Sequence, residues 1–445
     1  KRQLYDRTQF FGKTNCQRHP AKESSIPKQK TMIDICEYSQ CTGCMACLNS
    51  CSHSAINIEF DDEGFERPHI NQDLCVDCGL CVQVCPINHP PKANEAKKAF
   101  SGWSQNETVR ILSSSGGAFT EISWHVLRDG GVVFGCALND KLQAQHIYVE
   151  TLDGLTEKLS GSKYVQSHIG ETYKLAKAFL QQGRKVLFSG TPCQIAGLKN
   201  VLRKEYDNLL TVDLICHGVP SPKVFEDYKK YIQQRENMEL TSVKFRCKKS
   251  SWIFFNMTCT GHIEKTASLK RYEGCYYEDP YIRGFLRDYF LRPSCHQCHF
   301  TSTKRCSDFT IADWWGYQKS SAKDKGFAYK GVSLLLVNTD KALKLLPHLK
   351  MYLRERTMED AKRTNISLSR PFPFTAKRDS FWKDYKTMPF EKIIEKYMMP
   401  EKVSWDVNLR QHHKNTDCLL NAIRILMLPQ KIYNKILKPL VRYEK

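Results

Sequence analysis

Hydrophobic residues between positions 95 and 350 follow two alternating patterns. Short unbroken apolar runs are typical of strands buried on both faces, and the stretches between them carry apolar residues three or four positions apart, as amphipathic helices do. Strands and helices that alternate in this way predict βαβ units and a mainly parallel α/β sheet. The predicted strands cover residues 132–138, 185–188, 209–215, 309–314 and 332–337, and the predicted helices cover residues 118–128, 171–182, 194–204, 222–235 and 278–290.

The regions outside this domain have other patterns. A short alternating run at 55–60 predicts a strand in an N-terminal module. The start of the chain is polar, with the composition of a disordered lead-in, and its end is basic with helical spacing. The predicted organisation is a lead-in at 1–32, a small module at 33–90, the α/β domain at 95–350, and a mostly helical extension at 351–445 that ends in helices at 419–427 and 432–441. An antiparallel excursion is predicted within the α/β domain at 241–269, with strands at 242–247 and 252–258.

The composition adds mainly exclusions. A chain of 445 residues with 41% hydrophobic content has enough apolar surface for two to four folded domains, so it is not a disordered protein. No apolar run reaches the length that spans a bilayer, and the segment before residue 41 is polar rather than signal-like. The cationic, amphipathic extension suits an anionic membrane surface or a partner protein, and a helix packed on its own domain is the alternative.

Twenty cysteines carry the strongest chemical signal, because eight of them repeat one spacing. The pattern C-x2-C-x2-C-x3-C occurs twice, and each cysteine of the second run lies 34 positions after its counterpart. This spacing is typical of paired 4Fe-4S clusters, in which the fourth cysteine of each run serves the other cluster. We therefore assign one cluster to Cys41, Cys44, Cys47 and Cys85, and a second cluster to Cys75, Cys78, Cys81 and Cys51.

The flanking residues and the redox state of the thiols refine this assignment. Pro86 follows the last cysteine as in bacterial ferredoxins, whereas Ser52 stands at the matching position of the first run. Zinc sites are the alternative, but they typically combine C-x2-C pairs with longer loops rather than three cysteines in one turn. Because cluster ligands must be reduced thiolates, we expect a cytoplasmic protein, or one peripheral to the inner face of the membrane.

Four further cysteines lie where strand ends and loops meet. Cys193 and Cys216 follow two neighbouring predicted strands, and the carboxyl ends of parallel strands face the same crevice. Cys295 and Cys298 form a C-x2-C pair in a later loop. Together these cysteines predict a third 4Fe-4S cluster, although isolated cysteines are also common as small buried hydrophobic residues.

The predicted clusters change the meaning of the net charge. The formal charge of +20 invites a nucleic-acid partner, but an oxidised 4Fe-4S core with four thiolates carries minus two, so three clusters lower the charge to +14. The lysines and arginines are scattered, and no basic helix is interleaved with aromatic residues. We therefore expect no nucleic-acid partner, and expect acidic proteins, anionic cofactors or a membrane surface instead.

Five segments carry a resemblance to a known family. They are SSSGGAF at 113–119, SKYVQS at 162–167, FSGTPCQ at 188–194, DLICHG at 213–218 and SDFTIADWWG at 307–316. As a set they resemble the coenzyme F₄₂₀ hydrogenase/dehydrogenase beta subunit family, over about residues 99–351. The resemblance implies a flavoprotein that binds FAD and a 4Fe-4S cluster, with relatives that reduce a deazaflavin coenzyme, 7-hydroxymethyl chlorophyll or other acceptors. It also supports the four cysteines named above over Cys306, which is the rival for one ligand place.

The resemblance indicates where FAD would bind. The segment that begins at Ser113 precedes a helix, so small side chains and free backbone N–H groups would converge on a phosphate; a plain serine N-cap is the alternative. Lys163 and Tyr164 suit a cation and a stacking ring beside a flavin, and a solvated lysine with a half-buried tyrosine is the alternative. His217 and Lys163 are the predicted catalytic residues, although a histidine beside a ligand cysteine also bonds to backbone. The predicted cofactor-binding residues are Ser113, Ser114, Ser115, Gly116, Gly117, Lys163, Tyr164, Ser167, Gly190 and Thr191.

The predicted function is that of an FAD-dependent iron–sulfur oxidoreductase. Electrons enter at the ferredoxin-like clusters, pass through the third cluster to FAD and reach an organic substrate, or flow in reverse. The expected partners are a redox protein such as ferredoxin and a small-molecule substrate, and an oligomer is compatible with the sequence. An electron-transfer subunit without a substrate of its own and a coenzyme F₄₂₀ oxidoreductase are the alternatives. The fold class combines α+β and α/β: a two-cluster ferredoxin-like domain, then a mainly parallel α/β flavin-binding domain with an antiparallel excursion and a helical tail.

Overall fold

A large mixed sheet forms the centre of the fold. The computed structural model of the chain describes residues 34–248, 251–263, 266–315, 317 and 330–400. Within these residues the strands form one eight-stranded sheet, one three-stranded sheet and two two-stranded sheets. The strands are β1 (Ile56–Phe60), β2 (Glu66–Ile70), β3 (Asn94–Glu95), β4 (Lys98–Ser104), β5 (Val132–Leu138), β6 (Ala144–Val149), β7 (Val186–Gly190), β8 (Leu209–Leu214), β9 (Glu239–Cys247), β10 (Asn256–His262), β11 (Leu269–Cys275), β12 (Lys304–Arg305), β13 (Phe309–Asp313), β14 (Ser333–Val337) and β15 (Met351–Arg356).

The eight-stranded sheet is parallel at its centre and antiparallel at its margins. Its order is β15-β4-β14-β13-β8-β7-β5-β6, and β13, β8, β7 and β5 pair in parallel. All other neighbours pair antiparallel, so five of the eight strands run in one direction. The predicted parallel arrangement is confirmed for the centre. The margin at β6 is antiparallel because residues 139–143 form a short turn, and a parallel return needs a much longer crossover.

The helices cover both faces of this sheet. They are α1 (Ala46–Ser50), α2 (Leu80–Gln83), α3 (Glu107–Leu112), α4 (Ala118–Arg128), α5 (Leu152–Gly154), α6 (Thr172–Gln181), α7 (Pro192–Leu202), α8 (Pro222–Glu236), α9 (Pro280–Leu286), α10 (Asp340–Leu345), α11 (Met358–Thr364), α12 (Ala376–Tyr385) and α13 (Phe390–Ile393). Shorter 3-10 or π-helical segments are Leu155–Leu159, Pro293–Gln297, Leu346–His348, Ile366–Leu368 and Ile394–Met398. Among the described residues, no helix combines the length and the apolar content that crossing a membrane requires.

Side chains alternate across the central strands, so each strand contributes to two cores. Phe134 and Phe188 stack with ring centroids 5.2 Å apart on the face that α6 and α7 cover. Val133 and Leu187, their neighbours in sequence, pack on the opposite face with α4. Burial on both faces explains why these strands are unbroken apolar runs in the sequence.

The antiparallel excursion is a separate three-stranded sheet in the order β11-β10-β9. It packs with α8 and α9 around buried aromatic residues, among them Phe225, Phe245 and Tyr281. The predicted excursion is confirmed, but its second strand begins at Asn256 rather than at residue 252. Trp252 is instead buried in a different apolar core, which it shares with residues of the main sheet.

The N-terminal module combines the β1–β2 hairpin with α1 and α2, and it packs against α7. A Cβ at Gly197 of α7 would lie only 3.2 Å from Cys44 Sγ, so glycine permits this close approach. Asn200, one turn later, donates to two carbonyl oxygens at and after the end of α2. Arg378 of α12 forms an ion pair with Glu63 in the hairpin turn. The module is therefore held by helix packing on one side and by a charge pair on the other.

Several predicted boundaries need correction. The sequence pattern does not predict β4, β6 or β15, and β15 places residues 351–356 in the main sheet rather than in the helical extension. The helix predicted at 278–290 is shorter in the structure, where α9 covers only Pro280–Leu286. The chain leaves the helical conformation at Asp288, whose φ is 61°. After β15 the described chain is largely helical, as predicted. The lead-in at 1–32 and the helices expected at 419–427 and 432–441 lie outside the described residues.

Candidate functional site

Four cysteines from the two runs line one cavity in the N-terminal module. They are Cys41, Cys44, Cys47 and Cys85. Gly43 and Met45 have φ values of 67° and 57°, and these left-handed conformations let the loop wrap around the cavity before α1 begins. The crossed assignment predicts this set for one cluster, with three ligands from one run and the fourth from the other. We call this space the first cavity; the ligand roles stay a prediction.

Burial and hydrogen bonds act in opposite directions on these thiols. Burial raises the pKa of Cys44 and of Cys47 above the ordinary value. A hydrogen bond with Cys36 lowers the pKa of Cys41, and another with Cys36 lowers the pKa of Cys85 to about 7. Cys36 also lines the first cavity and is the residue that sequence reasoning missed, because it lies outside the repeated spacing.

The second run is more exposed to solvent. Cys78 is exposed, while Cys51, Cys75 and Cys81 are half-buried. Burial raises the pKa of Cys81, and the Cys75 and Cys78 thiols nearby raise it further. Cys51 packs in the same small apolar cluster as Cys81. The structure therefore brings the second predicted set into one neighbourhood at the surface of the module.

The cysteines predicted for a third cluster line another cavity, which we call the second cavity. Cys193 lies in the first turn of α7 after β7, and Cys216 follows β8. Cys295 and Cys298 come from the 3-10 segment Pro293–Gln297 and the residue after it. Burial raises the pKa of Cys216, and the other three thiols raise it further, so all four are near neighbours. Parallel strands deliver the first two cysteines to the same sheet edge, as predicted.

A buried guanidinium with unused donors faces the second cavity. Arg305 lines this cavity, and its Nε and Nη2 atoms are buried without a hydrogen-bond partner among the described residues. Its Nη1 lies 3.7 Å from Asp213. Unused N–H groups fit an anionic group, such as a cluster held by four thiolates. Cys306, the rival ligand, does not line the cavity; it packs in the core beneath α7, where burial raises its pKa to about 12.

Neither cavity has the geometry of a single-metal site. In the parts of the chain that the structure describes, no three His, Cys, Asp or Glu side chains are grouped closely enough to share one metal ion. Zinc would require such a group, since its ligands lie about 2.0–2.3 Å from one ion. A 4Fe-4S cubane distributes its thiolates over four iron atoms, so it needs a wider set. Four thiols spaced around each cavity are the donor set that such a cluster would need, and the ligand roles stay a prediction.

The predicted phosphate loop leads into α4, but most of its polar groups bond within the protein. Gly117 has a φ of 98° and is the N-cap of α4, so no side chain caps the first N–H groups of this helix. Ser114 Oγ accepts from a backbone N–H of the 162–167 segment (2.8 Å), which brings two of the resembling segments together. Three further members bond to protein groups nearby: Ser113, Ser115 and Gly116.

Three predicted flavin residues contact protein partners away from this loop. Lys163 Nζ donates to three backbone carbonyl oxygens of the preceding helical turn at 3.0–3.2 Å, and burial lowers its pKa to about 8. Tyr164 stacks on Phe285 with ring centroids 4.9 Å apart. Ser167 Oγ lies 2.9 Å from a ring nitrogen of buried His146. Their contribution to flavin binding stays a prediction.

Gly190 and Thr191 form the turn from β7 into α7, and Thr191 lies at the second cavity rather than at the phosphate loop. Thr191 lines this cavity, and its Oγ1 lies 3.1 Å from Cys193 Sγ. The backbone N–H of Thr191 donates to Gln194 Oε1 (2.9 Å), which closes a capping box at the start of α7. Gly190 packs directly against the Gln194 side chain. This turn therefore sets the position of a predicted cluster ligand.

His217 also lies at the wall of the second cavity. Its Nε2 is 2.6 Å from Asp288 Oδ1, and its ring stacks on Phe372 with centroids 3.8 Å apart. Phe285 is 4.8 Å from the His217 ring and 4.9 Å from the Tyr164 ring. A row of aromatic rings thus leads from the second cavity toward the segment at 162–167. The role of His217 as a proton donor stays a prediction.

The fold and the two cysteine cavities define an iron–sulfur protein with a ferredoxin-like module built onto a mixed α/β domain. Comparison with known families agrees with this class. Residues 183–360 match the family that comprises the C-terminal part of the coenzyme F₄₂₀ hydrogenase/dehydrogenase beta subunit, and residues 40–89 match the 4Fe-4S dicluster domain. Residues 183–360 thus match this beta subunit family, and a dicluster domain lies in front of them, which confirms the resemblance seen in the sequence.

Individual relatives match short parts of the chain. The ferredoxin-type protein NapF of Haemophilus influenzae is 40% identical over 45 residues, which are 10% of this chain and 26% of that protein. NapF of Escherichia coli K12 is 35% identical over 60 residues, 14% of this chain and 37% of that protein. An uncharacterised ferredoxin of Methanocaldococcus jannaschii is 40% identical over 52 residues, 11% of this chain and 77% of that protein. The chain thus spans about a quarter to a third of the NapF proteins.

A solved structure gives a weaker likeness. A chain of the F₄₂₀-reducing [NiFe] hydrogenase complex from Methanosarcina barkeri is 13% identical, and the match covers 66% of this chain and 94% of that chain. The TM-score is 0.40, which is too low to support an argument about either fold or function.

Proposed function

We propose that this chain is an iron–sulfur flavoprotein oxidoreductase that carries electrons between a redox protein and an organic substrate. Its route comprises two ferredoxin-like clusters, a third cluster in the second cavity, and FAD. The third cluster would be held by the four cysteines that line this cavity: Cys193, Cys216, Cys295 and Cys298.

The adjacency of the two cavities is the observation that carries this proposal. Thr42 lines both of them, and its side chain hydrogen-bonds to Cys193. Burial raises the pKa of Cys44 in the first cavity, and the Cys193 thiol is close enough to raise it further. Centres held in cavities that share a wall residue are close enough to exchange electrons directly. The ferredoxin-like module and the main domain would thus form one conduit.

The FAD part of the proposal rests on the family and on the start of α4. This helix has no side-chain cap, so the first N–H groups of its N-terminus suit an anion such as a pyrophosphate. The Lys248 amino group donates to the carbonyl oxygen of Ser115 (2.7 Å), and burial lowers its pKa to about 7, so a phosphate beside this loop would favour its protonated form. FAD would supply the conversion between one-electron and two-electron chemistry.

The side chains around the route have separate tasks. Burial of the cysteines in the second cavity excludes water, and the unused N–H groups of Arg305 stabilise negative charge there. The His217–Asp288 pair holds a proton between Nε2 and Oδ1. Phe285 and Tyr164 fill the space between this pair and the 162–167 segment, so they keep water out of that path.

A second candidate function is that of an electron-transfer subunit without a substrate of its own. One observation favours it: the polar groups of Ser113, Ser115 and Gly116 already bond to protein partners, which reduces what the loop offers to a phosphate. In this case a partner enzyme would carry the substrate. Coenzyme F₄₂₀ is a further substrate candidate, which the family name suggests.

Anaerobic purification with iron, sulfide and flavin counted per chain tests these proposals. Three clusters and one flavin predict about twelve irons and one FAD. About twelve irons without flavin would favour the electron-transfer subunit, and about eight irons would refute the third cluster. Assays with reduced ferredoxin and candidate acceptors, coenzyme F₄₂₀ among them, would then test the substrate.

A further inference from the structure

A buried arginine connects the two cavities. Arg292 has no exposed surface and comes three residues before Cys295, one of the cysteines of the second cavity. Its guanidinium reaches the first cavity, where Nε donates to the carbonyl oxygen of Cys41 (2.7 Å) and Nη2 lies 3.6 Å from Cys41 Sγ. Arg292 therefore links two predicted ligands of different clusters. It bonds to Cys41 of the first cavity and lies three residues before Cys295 of the second cavity.

The Arg292 guanidinium forms no ion pair with a carboxylate in the part of the chain that the structure describes. Its remaining donors bond to the side-chain oxygen of Gln166 (2.9 Å) and to the backbone carbonyl of Glu66 (3.0 Å), and both acceptors are uncharged. The carboxylate of Glu66 pairs instead with His168 (2.6 Å). A buried cation without a partner is costly, so this position calls for negative charge nearby. Anionic clusters in the two cavities would supply it.

A second buried arginine at the same interface offers a contrast. Arg378 donates to the carbonyl oxygen of Leu291, the residue before Arg292, and so lies close to the same segment. Unlike Arg292, it forms an ion pair with Glu63, and none of its hydrogen bonds reaches a cysteine of either cavity. Arg378 therefore resembles Arg292 in its burial and its location, but its charge is paired with a carboxylate.

We propose that Arg292 is the positioning residue that couples the first ferredoxin-like cluster to the third cluster. This rests on the proposed function, because it needs both clusters. The positive charge favours an added electron on either side, and the two hydrogen bonds to Cys41 keep its loop against the segment that carries Cys295. The step that Arg292 assists is the transfer of one electron, which oxidises one cluster and reduces the other without making or breaking a bond.

Redox titration of the full chain, followed by electron paramagnetic resonance with iron counted in parallel, tests this coupling. Arg292→Gln removes the charge and should shift the reduced-to-oxidised ratio of both clusters at a fixed potential at least about tenfold toward the oxidised form, about 59 mV for one electron. Arg292→Lys keeps the charge and should stay within about threefold of the wild type. Arg378→Gln, the matched control, should leave both potentials unchanged.

The outcomes separate this inference from the proposed function. Unchanged potentials in an Arg292→Gln chain that holds about twelve irons would overturn the coupling role. A wild-type chain with about eight irons would instead overturn the third cluster and the proposed function with it. If Arg292→Gln does not retain its iron, Arg292→Lys decides: unchanged potentials support the role of the charge, and a tenfold shift refutes it.

Discussion

Replacing Cys193 by serine is the most direct test of the second cavity. The substitution exchanges Sγ for Oγ at the first turn of α7 and leaves the shape of the side chain nearly unchanged. Thr191 Oγ1 lies 3.1 Å from the sulfur, and Thr42 also hydrogen-bonds to it. A serine hydroxyl can therefore keep hydrogen-bond partners in this buried position.

The structure separates the effect on the cluster from the effect on the fold. Because hydrogen bonds remain available, we expect Cys193→Ser to cost less than about 1 kcal/mol of folding free energy, instead of the about 1–3 kcal/mol of an unsatisfied buried hydroxyl. Loss of one thiolate of four should remove the third cluster completely. The iron content should therefore fall from about twelve to about eight per chain, with the two ferredoxin-like clusters retained.

The assay is iron and sulfide content after anaerobic purification, together with the low-temperature paramagnetic resonance spectrum. Cys306→Ser is the matched control, because Cys306 is also a buried cysteine near α7 but does not line the second cavity. We expect this control to retain about twelve irons. Unchanged iron in Cys193→Ser, or loss of about four irons in Cys306→Ser, would refute the ligand assignment.

Three further predictions concern how the N-terminal module is held, and all are measured by anaerobic urea unfolding. Arg378→Gln breaks a buried ion pair and should lower the free energy of unfolding by about 3 kcal/mol. The hydrogen bond with Glu66 raises the pKa of His168 in the folded protein, so protonated His168 stabilises the fold. This stabilisation is complete below pH about 6.5 and is lost as the pH rises through the higher folded-state pKa. His168→Gln should therefore lower the free energy of unfolding more at pH 6 than at pH 8. Gly43→Ala should cost about 2–4 kcal/mol, because its Cβ would come within 2.7 Å of a buried guanidinium nitrogen, whereas Gly79→Ala, at a similar φ but with no atom within 4 Å, should cost about 1 kcal/mol.

Each of these predictions has its own control or contrary outcome. For Arg378, the control is Lys392→Gln, which breaks an exposed pair with Glu395 and should have an effect below about 1 kcal/mol; equal effects would contradict the argument from burial. For His168, a destabilisation that grows with pH would show that the sign is wrong. For the two glycines, equal costs would mean that backbone conformation alone, rather than the contact, determines the effect.

The sequence predicts those parts of the fold whose burial pattern can be seen within a short stretch of consecutive residues. The central strands β5, β7 and β8 agree with the predicted bounds to within about two residues, since burial on both faces produces unbroken apolar runs. The marginal strands β6 and β15 mix exposed and buried positions, so no unbroken apolar run reveals them, and β15 pairs with β4, about 250 positions earlier in the chain. The direction of these strands could not be predicted either, because it depends on the length of the segment that connects each strand to its neighbour in the sheet, and that length is known only once the strand is recognised.

The candidate site divides in the same way. Three predicted ligands of each ferredoxin-like cluster lie within seven consecutive residues, so their spacing alone predicts the grouping. The rule that parallel strand ends meet at one sheet edge was enough to bring Cys193 and Cys216 to one place. Only the tertiary structure decided that Thr42 lies in the wall of both cavities, and that Arg292 lies against Cys41, 251 positions away. The physical reason is that local periodicity records which face of an element is buried, whereas contacts between distant segments depend on how the elements pack, and packing leaves no repeating mark in the sequence.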